Sequence, residues 1–268
     1  MSDKSSWPIG IFDSGVGGLT VLKELEELLP NENFIYFGDT ARVPYGNKSR
    51  ETIIKYAIEN TIYLMNQKIK LLVVACNTAS AFAINSLTSL FSVPIVNVIE
   101  PCVEMALKLT KTKSIAILGT RGTIESKIYQ KEFKKKDKSV QVQAIACPLF
   151  VPIVEEQFFN HPSTELIIQE YLLPLKDSSI DTLLLGCTHY PFLKRQINNC
   201  IGNDTQIIDS GYSCAQEVKK RLEDCNLVNK KLQNKIRRFC VSDDPEKFSI
   251  LSKLLLKKQI DRVELVRW

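Results

Sequence analysis

Two short loops hold the residues best suited to chemistry. Cys76 closes the apolar run Leu71-Leu-Val-Val-Ala75 and leads into Asn77-Thr78. Cys187 closes Thr182-Leu-Leu-Leu-Gly186 and leads into Thr188-His189. Each reads as a buried strand that ends on a cysteine and opens a helix. Ligands of α/β sheets bind at the carboxyl ends of strands. Helix N-termini offer free N–H groups and partial positive charge, which favour a thiolate. Either cysteine alone reads as a packing residue. Two at corresponding places, both followed by polar residues, read as a pair. A redox couple is the alternative, weakened by the missing Cys-x-x-Cys spacing. Two thiols facing one carbon suit inversion of an amino-acid α-carbon: one face loses a proton, the other gains one, and the reverse reaction swaps the roles. The α-proton is weakly acidic, so fixed hydrogen bonds must stabilise the developing carbanion.

Other residues could assist. Asp13-Ser14-Gly15-Val16-Gly17-Gly18 follows a first strand and precedes a helix, as an anion cradle would; a tight turn without function is the bland reading. It lacks the third glycine of a dinucleotide fingerprint and the Gly-Lys-Ser/Thr of a P-loop. A second Asp two residues after Asp13, usual in phosphatases with an Asp nucleophile, is absent. In the loop from Asp39 to Gly46, Arg42 could meet a carboxylate or lie on the surface, and Tyr45-Gly46 could offer a ring and a close backbone approach. Glu155 is a proton relay or a solvated carboxylate. His189, two residues past Cys187, could orient or protonate that thiol.

These loops need a scaffold. The chain has 268 residues, 44% hydrophobic, with net charge +5. That supports a real core and excludes a disordered chain. No apolar run is long enough to span a membrane, and no export signal opens the chain, so a cytoplasmic protein is expected. Eight cysteines and two histidines, His161 and His189, show no zinc spacing. Apolar runs predict strands over Ile9–Phe12, Phe34–Phe37, Leu71–Ala75, Ile95–Ile99, Ile115–Leu118, Val140–Ala146, Thr182–Leu185 and Gln206–Ile208, with amphipathic helices over Leu19–Leu29, Ser49–Met65 and Thr164–Leu173. The alternation predicts an α/β protein of mostly parallel sheets. The halves resemble each other. Ile9-Gly-Ile-Phe aligns with Ile115-Ala-Ile-Leu, Val43-Pro44 with Val151-Pro152, and Val74-Ala-Cys76 with Leu185-Gly-Cys187, at nearly constant offset. Two similar lobes are expected, 1–98 plus 210–268 and 99–209, with the active site in the cleft between them. The tail after Asp209 should return to the first lobe with helices but little sheet. The basic clusters Lys134-Lys-Lys136 and Lys230-Lys231 with Arg237-Arg238 lack interleaved aromatics and read as solvated faces, which argues against nucleic-acid binding.

Over nearly its whole length the chain resembles the glutamate racemases of the cofactor-independent aspartate/glutamate racemase superfamily. The likeness rests on Phe12-Asp-Ser-Gly-Val-Gly-Gly-Leu-Thr20, Tyr36-Phe-Gly-Asp-Thr40, Val43-Pro-Tyr-Gly46, Ala75-Cys-Asn-Thr-Ala-Ser80, Val98-Ile-Glu-Pro101, Cys147-Pro-Leu-Phe-Val-Pro152, Leu185-Gly-Cys-Thr-His-Tyr-Pro191 and Ile208-Asp-Ser-Gly211. The resemblance implies that Cys76 and Cys187 are the two acid/base residues, with Asp13, Glu155 and His189 as auxiliary groups. It implies that Asp13, Ser14, Tyr45, Gly46, Asn77, Thr78, Thr188 and His189 hold glutamate, with Thr120 and Thr123 near its carboxylate. It implies supply of D-glutamate to peptidoglycan, with neither pyridoxal phosphate nor a metal, and leaves a homodimer open. Ser80 and His189 stand where related aspartate racemases tend to carry His and Glu, which favours glutamate. The alternatives are a racemase of another acidic amino acid such as aspartate and a non-catalytic relative. Two departures stand out: Glu155-Glu156-Gln157 replaces the frequent Glu-x-Gly, and Asn97 replaces a frequent Gly before Val98.

Overall fold

The computed structural model describes residues 4–176, 178–230, 236–256, 260 and 262–267. The apolar runs become parallel strands of two sheets. One has the order β10-β9-β2-β1-β3-β4 and the other β6-β5-β7-β8. The strands are β1 (Ile9–Asp13), β2 (Phe34–Gly38), β3 (Leu71–Val74), β4 (Ile95–Asn97), β5 (Ser114–Gly119), β6 (Gln141–Ala146), β7 (Thr182–Gly186), β8 (Gln206–Asp209), β9 (Arg237–Val241) and β10 (Val263–Leu265). The helices are α1 (Leu19–Leu28), α2 (Arg50–Asn66), α3 (Asn77–Leu90), α4 (Ile99–Leu109), α5 (Arg121–Glu125), α6 (Ile128–Lys136), α7 (Phe150–Glu155), α8 (Pro162–Leu172), α9 (Lys194–Ile201), α10 (Ser210–Asp224) and α11 (Pro245–Leu256). Helices cover both faces of each sheet. Residues of α1, α10 and α11 pack on one face of the first sheet and residues of α2 and α3 on the other. On the second sheet α7, α8 and α9 oppose α4 and α6. Burial on both faces is why the central strands read as continuous apolar runs, whereas the edge strand β6, only partly buried, alternates glutamine with apolar residues at its start.

Within each sheet one pattern repeats: β2-β1-β3-β4 and β6-β5-β7-β8. In both, the first strand of the series lies between the second and third, and the fourth flanks the third. The third strands, β3 and β7, lead to Cys76 and Cys187.

Three expectations need correction. The tail does more than pack helices: β9 pairs with β2 and β10 with β9, extending the first sheet. The strand was hidden because it opens on Arg237-Arg238. These are not a solvated cluster. Arg237 lies over the Phe34 ring and donates to Glu26, while Arg238 pairs with Glu264. Lys231 lies outside the described residues, whereas on α6 Lys135 pairs with Glu132 and Lys136 with Glu104 of α4. Second, the two Val-Pro landmarks are not equivalent. Val43-Pro44 has a cis peptide between two 3-10 turns, whereas Val151-Pro152 lies in the first turn of α7. There the missing N–H of proline costs nothing, because first-turn donors have no helical partner. Third, Cys187 does not open an α-helix directly. A turn and a 3-10 segment, Tyr190–Leu193, precede α9. Pro191 disfavours α geometry at Tyr190 and so delays the helix.

Candidate active site

Cys76 is the N-cap of α3, and its Sγ accepts the Ala79 N–H at 3.5 Å. A thiol here does the work of a capping hydroxyl, with the helix N-terminus aimed at the sulfur. Burial pushes this thiol up to about 12, helped by the nearby Asp13 carboxylate and by Cys187, against the Ala79 N–H and Ser14. Asp13 ends β1 and is fully buried. It accepts from Gly15 N–H at 3.1 Å and from the Thr188 hydroxyl, across the lobes, at 3.2 Å. Burial raises its carboxyl above the ordinary value even though His189 and these donors work the other way.

The other thiol has different company. His189 Nδ1 lies 4.0 Å from Cys187 Sγ, and its Nε2 lies 2.7 Å from Glu155 Oε1. Burial opposes a charge on the imidazole, but Cys187 and Glu155 outweigh it and raise His189 well above the usual histidine range. Burial likewise opposes the Glu155 carboxylate, and the His189 hydrogen bond and charge more than offset it, so Glu155 lies below its ordinary value. A sulfur, a base and a carboxylate that orients the base form one line, the arrangement that activates nucleophiles and bases generally.

Both thiols open on one cavity. The loops of the first sheet give it Ser14, Pro44, Tyr45, Gly46, Cys76, Asn77 and Thr78; those of the second give Thr120, Val151, Cys187, Thr188 and His189. Asp13, Thr123 and Glu155 stand one layer behind. Thr123 closes a triangle of hydroxyls with Thr78 and Thr120, at 2.9 to 3.2 Å, that bridges the lobes. Two glycines mark where the lobes meet most closely. A Cβ on Gly17 would lie 2.5 Å from His189 Nδ1, and one on Gly46 would lie 2.5 Å from Thr120 Cβ.

Some candidates turn out to serve the protein rather than the cavity. The Gly15 N–H of the glycine loop donates to Asp13 itself, so the expected anion cradle holds its own carboxylate, and only Ser14 of that loop lines the cavity. The Tyr45 hydroxyl turns away from the thiols to Asp39 and Asn60. Arg42 meets carboxylates, but they are Asp39 and Glu59. This cluster braces the loop that presents Gly46.

The two departures find physical reasons. Gln157 has φ +59°, in the left-handed region where glycine is at ease. Gln157→Gly is therefore expected to stabilise the fold by ~0.5–1 kcal/mol, the left-handed strain less the extra freedom of an unfolded glycine. A midpoint of thermal unfolding that stays level or falls would refute the strain. Asn97 accepts the N–H groups of Ile99 and Glu100, at 2.9 and 3.2 Å, where the chain crosses to the second sheet through α4. A glycine has no oxygen with which to do this.

Burial also raises Cys102, up to about 12, and Cys214 and Cys147 beyond that. The folded chain keeps these protons while the unfolded chain releases them near pH 9, so their contribution is intact below pH 9 and is lost as pH rises toward the folded values. The expected cost is ~1.4 kcal/mol per thiol per pH unit in that window. Stability measured from pH 8 to 11 should fall less steeply in Cys102→Ala than in the wild type; equal slopes would contradict this.

The result is a two-lobed α/β protein in which each parallel sheet delivers one strand-end thiol to a shared, buried, hydroxyl-rich cavity. Comparison with known proteins gives that class a family. The family model for Asp/Glu/hydantoin racemases matches residues 9–218. A glutamate racemase of Chlorobaculum tepidum is 44% identical over 263 residues, covering 98% of this chain and 97% of the relative. The structure is similar to that of glutamate racemase isoform RacE1 from Bacillus anthracis, with TM-score 0.95, 37% identity and 98% coverage of both chains. It is also similar to a glutamate racemase from Francisella tularensis solved in complex with D-glutamate, with TM-score 0.92, 37% identity and the same coverage. The chain belongs to the glutamate racemases of the Asp/Glu/hydantoin racemase family.

Sequence reasoning missed Tyr129, Ser210 and Tyr36. Tyr129 and Ser210 both bond Asn77, and Tyr36 donates to Gly15 O at 2.7 Å. In the sequence Tyr129 is one more residue on an amphipathic helix; only its partner across the lobes distinguishes it.

Proposed function

We propose that Cys76 and Cys187 are the acid/base pair with which this racemase interconverts L- and D-glutamate. The observation that carries the reading is that both thiols, one from each sheet, open on the same cavity. One thiolate takes the α-proton and the opposite thiol returns one to the other face. Cys76 keeps its proton at neutral pH and is a ready donor. His189, charged beside Glu155, can hold the proton that Cys187 gives up. For the reverse direction Asp13, whose carboxyl is raised, is placed to take the proton of Cys76. Ser14, Asn77, Thr78, Thr120, Thr188 and the Tyr45-Gly46 backbone offer donors to an amino acid with two carboxylates, with Thr123 orienting Thr78 and Thr120. Fixed donors of this kind stabilise a developing carbanion without reorganising.

The reading assigns residues 1–98 plus 210–268 to the Cys76 lobe and 99–209 to the Cys187 lobe. It places the enzyme in the cytoplasm, where eight unpaired cysteines stay reduced, supplying D-glutamate to peptidoglycan. Among the described residues no helix is long and apolar enough to cross a membrane.

The test is incubation with L-glutamate in deuterium oxide, with aspartate in parallel. Optical rotation should decay to zero with glutamate. Early in the reaction the D-product should carry α-deuterium while remaining L-substrate does not, because different thiols take and give the proton. A folded protein that neither racemises nor exchanges glutamate, or that prefers aspartate, would overturn the assignment.

A further inference from the structure

Tyr129 lies on α6, on the second sheet, and is fully buried. Its ring rests against the end of β7, where a Cβ on Gly186 would lie 3.2 Å from Tyr129 Cε2. Gly186 immediately precedes Cys187. The Tyr129 hydroxyl donates to Asn77 Oδ1 at 2.7 Å. Asn77 immediately follows Cys76 and lines the cavity. Its amide nitrogen in turn donates to Ser210 Oγ, at the start of α10, at 3.3 Å. One side chain therefore touches the residue before one thiol and the residue after the other.

We infer that Tyr129 is a positioning residue: it braces the two cysteine loops against each other and holds the Asn77 amide in its place at the cavity wall. The inference rests on the reading of Cys76 and Cys187 as the acid/base pair and of Asn77 as a substrate donor. Two-sided proton transfer puts a tight demand on geometry, because both sulfurs must address one carbon at once. Reacting atoms must approach to ~3–3.5 Å, and a misplacement of ~1 Å can cost ~100-fold in rate. Lobes joined by polar contacts move relative to one another by default. A buried tyrosine hydroxyl must find a partner, and here the partner belongs to the opposite lobe's catalytic loop. Phenylalanine would fill the same volume on Gly186 but would lose the link to Asn77.

The experiment is a double-mutant cycle, with steady-state kinetics and thermal unfolding of the wild type, Tyr129→Phe, Asn77→Ala and the double variant. Tyr129→Phe is expected to lower kcat/KM about tenfold, with kcat falling as well as KM rising, since the cysteine loops lose their brace and Asn77 its orientation while both thiols remain. In the Asn77→Ala background the same change should cost less than about twofold, because the link is already cut. The unfolding midpoint should show the same non-additivity, which reads the contact independently of turnover. Ser210→Ala, which cuts the other bond to Asn77, gives a parallel cycle if Tyr129→Phe fails to fold, with a loss of about threefold that also vanishes in the Asn77→Ala background. Wild-type kinetics in Tyr129→Phe, or the full tenfold loss retained without Asn77, would overturn the inference. The rates of Cys76→Ala and Cys187→Ala, measured alongside, report separately on the two-thiol reading.

Discussion

Cys76→Ala and Cys187→Ala should each lower racemisation of glutamate by about 10⁴-fold in both directions, with the fold intact. On the two-base proposal each thiol has a single task on its own face of the substrate, and among the described residues the nearest titratable groups are already engaged. Asp13 lies behind Cys76, bonded to Gly15 and Thr188. His189 lines the cavity beside Cys187, 4.0 Å from its sulfur, but its Nε2 is engaged with Glu155. A water in the space left by sulfur is a far weaker acid and base at neutral pH. Each variant still keeps one thiol, so in deuterium oxide each should exchange the α-proton of one enantiomer, a different one in the two variants, without inverting it. Circular dichroism of the fold, polarimetry and proton NMR check the three parts. Near-normal two-way turnover in either variant would refute the two-base assignment. Exchange of the same enantiomer by both would refute the division of faces.

Lys70→Met should destabilise the fold by ~3–5 kcal/mol, the usual cost of breaking a buried ion pair by removing one partner. Lys70 is buried just before β3, at the end of the sheet opposite Cys76. Its ammonium donates to Glu32 Oε2 at 2.5 Å, to Leu227 O at 2.8 Å and to Ser5 O. Glu32 also accepts the Asn229 N–H at 2.8 Å. Methionine fills the space but leaves a buried carboxylate facing two carbonyls. Since a domain has only ~5–15 kcal/mol in total, the loss should be plain in a urea titration. Turnover per folded molecule should stay within about twofold, because the pair lies far from the cavity. A destabilisation below about 1 kcal/mol would show that the pair adds nothing.

Much of this was legible in the residues. Strands buried on both faces announce themselves as unbroken apolar runs, and all eight runs became strands within two residues of the expected ends. The duplicated order and the two strand-end thiols followed from local pattern alone. What failed had local causes. Arg237-Arg238 masked an added strand, since a cation at a sheet's margin looks like a solvated one until its carboxylate partner is seen. The shared Val-Pro dipeptide misled because one peptide is cis in a loop and the other lies inside a helix.

The order of residues alone shows which thiols stand at strand ends, which polar residues follow them, and that two such units exist. These depend on periodicity and on neighbours within a few positions. Long-range packing set the rest: the two loops share one cavity, Asp13 stands beside Cys76 while His189 and Glu155 attend Cys187, and Tyr129 joins the loops. It also turned the Tyr45 hydroxyl and the Arg42 guanidinium toward Asp39. Each of these is a contact, or the loss of one, set by how buried polar groups find partners. The partners include Asp13 and Thr188, which lie 175 residues apart in the chain. A buried group must be satisfied by whatever the fold brings beside it, and no local pattern encodes who that will be.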